Sequence, residues 1–287
     1  MSTETEGMKG TEGTTVGTEP EARPRVGCAV DTDGRITFDV PSGSAEAGQL
    51  LLRLRPKKGQ PEKTLHVLEL EPTGDGGRRA VLDIRPVLAE GRWDVFLLQD
   101  PESRRLRLLP GPRDVRVLVD GHLRDRQSPL AVRIPYVTKD GHLAIRAWRR
   151  TAHAEAAGIE VTDRSMTVGA RLHGASLREG AVVRLRRRGG DGAVHTFEAR
   201  AGDDDRSFSF TVDYEKLTTG TSAGSGIWDA FVHPAPEASP IRMARLLDDV
   251  ADRKAVFVYP TVTVSDALVH PYYTVDNDLS VKVTKAG

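Results

Sequence analysis

Tryptophan beside aspartate is a pair that could do carbohydrate chemistry. The indole can stack on a sugar ring, and the carboxylate can act as an acid or a base. Gly-x-Trp-Asp occurs twice in this chain, in EGRWDVFLL (residues 90–98) and in SGIWDAFVH (225–233). It is either a site displayed twice or a corner of the fold used by two copies of one domain. Basic clusters offer a second chemistry. RLRRRGGDG (184–192) reads as a hairpin tip whose Arg186, Arg187 and Arg188 could grip phosphate or another polyanion. Its counterpart RLRPKKGQ (53–60) adds Lys57 and Lys58.

Other candidate groups are weaker. The 8 histidines are scattered, with no His-x-x-x-His and no carboxylate at ligand spacing. His66 and His195 fall at similar places in two returning strands. There is no Gly-x-Ser-x-Gly elbow, and GTSAGSG (220–226) lacks the lysine of a phosphate loop. GDDDRS (202–207) reads as a polar turn, because three adjacent carboxylates lack the alternation of a calcium loop. No catalytic residue, metal or cofactor is assigned.

The elements that must position these groups are strands. Short runs such as RITFDV (35–40), QLLLRLRP (49–56), TLHVLELEP (64–72) and RAVLDIRP (79–86) alternate with Gly, Pro and Asp. That rhythm predicts an all-β antiparallel sandwich. Amphipathic helix spacing is scarce, and HAEAAGIEV (153–161) is its best example. The second half repeats the first. Trp93 to Trp228 is 135 positions and Pro135 to Pro271 is 136. VRIPYVTKDGHLAIRAW (132–148) overlays VHPYYTVDNDLSVKVTK (269–285), each with a hairpin turn that favours positive φ. The expectation is a disordered acidic tail over residues 1–24, then two tandem immunoglobulin- or fibronectin-III-like sandwiches over 25–148 and 149–287. At the same corner of both copies, Trp93 and Trp228 are expected to be structural core, with Tyr136 and Tyr272. Asp94 and Phe96 should share the face opposite Trp93, Val95 and Leu97.

Composition narrows the function classes. The 41 basic and 41 acidic residues cancel, which argues against nucleic acid as a partner. One cysteine excludes an internal disulfide and a cysteine zinc cage. No segment reads as a signal peptide or reaches 18 apolar residues, so the expectation is a cytoplasmic protein that does not span a membrane.

The two endings, IPYVTKDGHLAIRA and HPYYTVDNDLSVKV, resemble the immunoglobulin-like modules that accompany actinobacterial cell-wall polymer transferases of the teichoic-acid type. Those modules carry a Gly-x-Trp-Asp-type strand and end in a Pro-Tyr-x-Thr-x-x-x-Asn-Leu-Ser-like hairpin. The first copy departs from that pattern, with Gly-His-Leu in place of Asn-Leu-Ser. The chain also lacks an Asp-x-Asp nucleotide-sugar motif in a Rossmann setting. The resemblance implies a non-catalytic accessory or scaffolding role in cell-wall or spore-wall glycopolymer synthesis. The partner would be a protein, a transferase among them, or an anionic glycopolymer. A general protein–protein interaction module is the alternative, and a transferase with a site between the two sandwiches is a third.

Overall fold

The computed structural model describes residues 23–43, 48–56, 59–62, 64–98, 105–119, 128–189, 192–219 and 225–287. Residues 1–22, most of the expected tail, lie outside them. The first half runs β1 (Arg25–Val30), β2 (Ile36–Val40), β3 (Gln49–Leu54), β4 (Leu65–Glu69), β5 (Glu71–Pro72), β6 (Arg78–Leu82), β7 (Gly91–Leu98), β8 (Leu106–Arg107) and β9 (Leu109–Asp114). A short helix α1 (Arg116–Val119) then leads to β10 (Leu130–Val137) and β11 (Leu143–Arg150). The second half runs β12 (His153–Val161), β13 (Ser165–His173), β14 (Val182–Arg187), β15 (Val194–Glu198), β16 (Arg200–Ala201) and β17 (Ser207–Asp213). After α2 (Tyr214–Thr218) come β18 (Gly226–His233), β19 (Ile241–Ala244), β20 (Val262–Val264), β21 (Ala267–Tyr273) and β22 (Leu279–Lys285).

The fold is all-β, and the same strand order appears twice. In the first half, the sheet β5-β6-β2-β1-β9 faces the sheet β10-β11-β7-β3-β4. In the second, β16-β17-β13-β12 faces β15-β14-β18-β22-β21-β20, and β19 pairs with both β12 and β18. Alternation fixes which side chains turn inward. Val26, Cys28 and Val30 of β1 and Ile36, Phe38 and Val40 of β2 meet Leu50, Leu52, Val95 and Leu97 from the opposite sheet. Met166, Val168, Phe208 and Phe210 meet Val183, Leu185, Val232 and Val281 in the second core.

One expectation changes. The sheets are not antiparallel throughout, because β9 runs parallel to β1 and β19 parallel to β12. In each half the chain leaves β7 or β18 as an antiparallel neighbour, then crosses to the other sheet and continues in the same direction. The helix-like stretch 153–161 is the strand β12, with a register shift between Ala156 and Ile159. Pairing with β13 overrides its alanine-rich propensity.

The closing hairpins are built alike. The Thr138 and Thr274 amides donate to His142 O and Asp278 O at 2.8 Å, and the Gly141 and Asn277 amides donate back to the threonine carbonyls. Gly141 (φ 77°) and Asn277 (φ 62°) hold the left-handed position, which these two residue types tolerate best.

Candidate functional site

Both tryptophan rings lie inside the sandwiches. Trp93 is 0% exposed and Trp228 1%. The Trp93 indole donates to Ala89 O at 2.9 Å. His66 and His195, from the returning strands β4 and β15, cover the two rings at centroid distances of 5.2 and 4.8 Å. Leu88 and Leu217 pack beneath. The motif glycine opens a strand rather than making a turn. A Cβ on Gly91 would lie 2.6 Å from Leu54 Cδ1, and one on Gly226 would lie 2.8 Å from Arg187 Nε. Glycine thus makes room for the side chain crossing from the neighbouring strand, a branched leucine at Gly91 and the movable end of an arginine at Gly226. No indole face is left for a sugar. Tyr136 and Tyr272, expected in the core, are half-buried. The buried ring of β21 is Tyr273, because alternation turns Val269, Pro271 and Tyr273 inward and leaves His270 and Tyr272 stacked outside at 6.1 Å.

The aspartate of each motif occupies the opposite face and is caged by arginines. Asp94 is 2% exposed. Arg53 reaches it at 3.0 Å, Arg55 at 2.6 Å and Arg107 at 2.9 Å. Asp229 takes Arg188 at 2.6 Å and Arg242 at 2.9 Å, with the Ser280 hydroxyl donating at 2.8 Å. Burial raises the proton affinity of both carboxylates. Hydrogen bonds from Arg55 and Arg53 at Asp94, and from Arg188 at Asp229, outweigh it and hold both below the ordinary carboxylate range. Each carboxylate is thus an ionised anchor that orients guanidiniums. Among the described residues the two carboxylates are held by separate sets of arginines.

The basic cluster is a strip along β14 and its end. Arg184, Arg186 and Arg188 are exposed and alternate onto the outer face. Arg187 points the other way, half-buried, donating to Ser225 O at 2.8 Å. Arg186 stacks over Phe231 at 4.8 Å. On the same sheet face stands exposed Lys282, opposite Ile227 and His270. Among the described residues Arg184, Arg186 and Lys282 have no carboxylate partner. Lys57 and Lys58 lie outside the described residues. Arg53 and Arg55, which precede them in RLRPKKGQ, carry the first copy's basic character. The signal for them was their identity with Arg186 and Arg188 in the repeat.

Residues 202–207 form a turn closed by Asp204, which accepts from the Arg206 and Ser207 amides and pairs with Arg171 at 2.7 Å. Residues 220–224 of GTSAGSG lie outside the described residues. No helix among the described residues is long and apolar enough to cross a membrane.

No family model matches the chain, and no curated protein matches it. Among solved structures it is similar to S. aureus TarS at 14% identity and a TM-score of 0.36, over 57% of this chain and 30% of that one. A structure of TarS residues 217–571 is similar at 13% identity and a TM-score of 0.30, over 66% and 55%. The chain spans less than two thirds of either TarS chain, and neither likeness reaches the level from which a shared fold or function follows.

Proposed function

We propose that the chain is a non-catalytic binding or scaffolding protein, two tandem sandwich modules that hold an anionic glycopolymer and assist its synthesis from the cytoplasmic side. The observation that carries this reading is the outer face of β14. Arg184, Arg186 and Arg188 stand at alternate positions, joined by Lys282 across the sheet, with Asp229 the carboxylate among them. Excess guanidinium on a flat, half-exposed face suits the phosphates of an extended polymer, which a fork of N–H donors takes bidentately. The resemblance of the two closing hairpins to modules of wall-polymer transferases supports the same reading. Co-sedimentation with a phosphodiester-linked wall glycopolymer tests it, against a neutral glycan as control. The triple variant R184E/R186E/K282E should lose at least about tenfold in binding, and wild-type binding should weaken with salt. Binding unchanged by the triple variant sinks the reading.

A protein partner is the second reading. The edge strand β4 leaves Leu65 41% and Val67 49% exposed beside unpaired backbone, a surface suited to strand addition. Association with a transferase that survives R184E/R186E/K282E and is lost in L65K/V67K would favour it.

A further inference from the structure

The two halves have diverged at most outer-face positions. Leu51 faces Arg184 in the overlay, Leu98 faces His233, Val67 faces Thr196 and Ala144 faces Ser280. The register of the overlay is fixed by backbone bonds, since Arg55 N donates to Arg92 O as Arg188 N donates to Ile227 O. Against that drift, identical outer-face residues recur, the exposed Glu69 and Glu198 at the edge of the sheet and six positions nearer its centre. The six are Arg53 and Arg186, Arg55 and Arg188, Asp94 and Asp229, Phe96 and Phe231, Arg107 and Arg242, and Tyr136 and Tyr272.

Their arrangement repeats as well. Arg53 lies over the Phe96 ring at 4.8 Å, and Arg186 lies over Phe231 at 4.8 Å. The aspartate holds the second and third arginines in each copy. The tyrosine stands one strand away, across Ala144 or Ser280. Packing of the sandwich cores does not require this, because core positions have exchanged freely: Leu50 for Val183, Val95 for Ala230, Leu97 for Val232. An ion cage that merely ties strands together would need one arginine per carboxylate. Around Asp94 stand Arg53, Arg55 and Arg107, with Glu62 at 3.4 Å from Arg53. Asp229 holds Arg188 and Arg242, with Asp278 at 3.8 Å from Arg242, while Arg186 has no carboxylate partner among the described residues. Three guanidiniums against two carboxylates leave an excess of positive charge at a half-exposed surface.

We infer that the chain carries two equivalent anion sites, one in each half, and that each takes a phosphate group of a sugar-phosphate polymer. The aspartate and the phenylalanine fix guanidinium planes in advance, so little side-chain entropy is lost on binding. The tyrosine supplies a ring edge and a hydroxyl beside the phosphate position. This inference rests on the polyanion reading above and adds a second, structurally equivalent site that the β14 strip alone does not contain.

Calorimetric titration of the whole chain with tripolyphosphate reads the number of sites directly. Wild type should bind two per chain. R53Q and R186Q should each bind one, and R53Q/R186Q none. Both substitutions leave Asp94 and Asp229 with two arginines, so thermal stability should change little. R53K and R186K keep the charge and lose the fork, and should weaken their own site several-fold, which a diffuse charge patch would not do. One site per chain, lost in R186Q and unaffected by R53Q, overturns the two-site inference and leaves the polyanion reading standing. Two sites unaffected by either glutamine variant overturn it as well. Wild-type protein that binds neither tripolyphosphate nor the glycopolymer overturns both.

Discussion

Asp94 and Asp278 are carboxylates moved in opposite directions by their surroundings, and they make opposite predictions. Asp94 is buried, but three arginines outweigh the cost of burial and depress its proton affinity. A depressed carboxylate adds stability above its unfolded value, near pH ~3.9, and that contribution disappears as pH falls through the folded value. Removing it leaves three guanidiniums facing each other. Their side chains are 31%, 32% and 26% exposed, so water screens part of the repulsion. D94A should therefore cost about 2 kcal/mol in chemical denaturation at neutral pH. The penalty should shrink below about pH 4, as Asp94 itself becomes protonated; a constant difference across that range would contradict it.

Asp278 has the other balance. Burial dominates and raises its proton affinity, while Arg242 and Arg150 stand off at 3.8 and 3.9 Å. Its Oδ1 has no hydrogen-bond partner among the described residues. Asp276 and Glu90 add like charge. A raised carboxylate costs stability while ionised, and the cost is relieved as pH falls through its folded value. D278N should thus raise the melting temperature at pH 7 by about 2 °C, with the gain fading on acidification. A lower melting temperature for D278N would mean that the long pairs to Arg150 and Arg242 are net stabilising.

At the scale of elements, the strand that opens with the motif glycine separates what sequence shows from what it hides. The 2-residue period of RWDVFLL sorts Trp93, Val95 and Leu97 from Asp94 and Phe96, and the repeat offset aligns β7 with β18. These are local regularities, legible because the pleat imposes them. The reason for the glycine is non-local. It depends on Leu54 or Arg187 crossing from a strand about 40 residues earlier. The same holds for the cages, since RLRP and RLRRR looked like hairpin tips until pairing brought them against Asp94 and Asp229. Stretch 153–161, whose alanines suit a helix but whose glycine and β-branched end do not, is settled as a strand by its partners β13 and β19 elsewhere in the chain.

The two glycines need not respond alike. Gly91 sits at φ 151°, and its new methyl would press on a branched, half-buried leucine. Gly226 would meet the far end of a flexible arginine. G91A should cost about 1–3 kcal/mol, and G226A less than about 1 kcal/mol. Equal costs, measured by urea denaturation, would show that strand-entry geometry rather than side-chain crossing sets the requirement.

At the scale of the molecule, the halves are knit together by the segment after β19 and by the second closing hairpin. Ala244, which ends β19 of the second half, and Leu246, Leu247 and Ala251, which follow it, belong to the buried core of the first. The segment is fastened at its own end by Arg253, which is fully buried. That guanidinium pairs with Asp248, donates to Arg245 O at 3.0 Å and lies over Phe257 at 4.8 Å. Asn277, in the second closing hairpin, accepts from Arg253 N and donates to Val250 O, each at 3.0 Å. Glu155 receives the Leu246 and Leu247 amides at 2.8 and 3.0 Å. The same hairpin docks on the first half, where Arg146 meets Asp276 at 2.6 Å and the Trp148 indole reaches Asp276 O at 3.3 Å. Nothing in RLLDDVAD distinguishes this inserted segment from an ordinary loop, because its apolar residues face a core assembled more than 90 residues upstream. The consequence is thermodynamic. Removing the segment's share of that core, as in L246A, should cost about 2–5 kcal/mol and lower the unfolding temperature of both halves together. Scanning calorimetry of the full chain should give one cooperative transition, and residues 25–150 expressed alone should melt well below it. Two separated transitions, with only that of the first half moved by L246A, would mean that the segment merely covers the first core without coupling the halves.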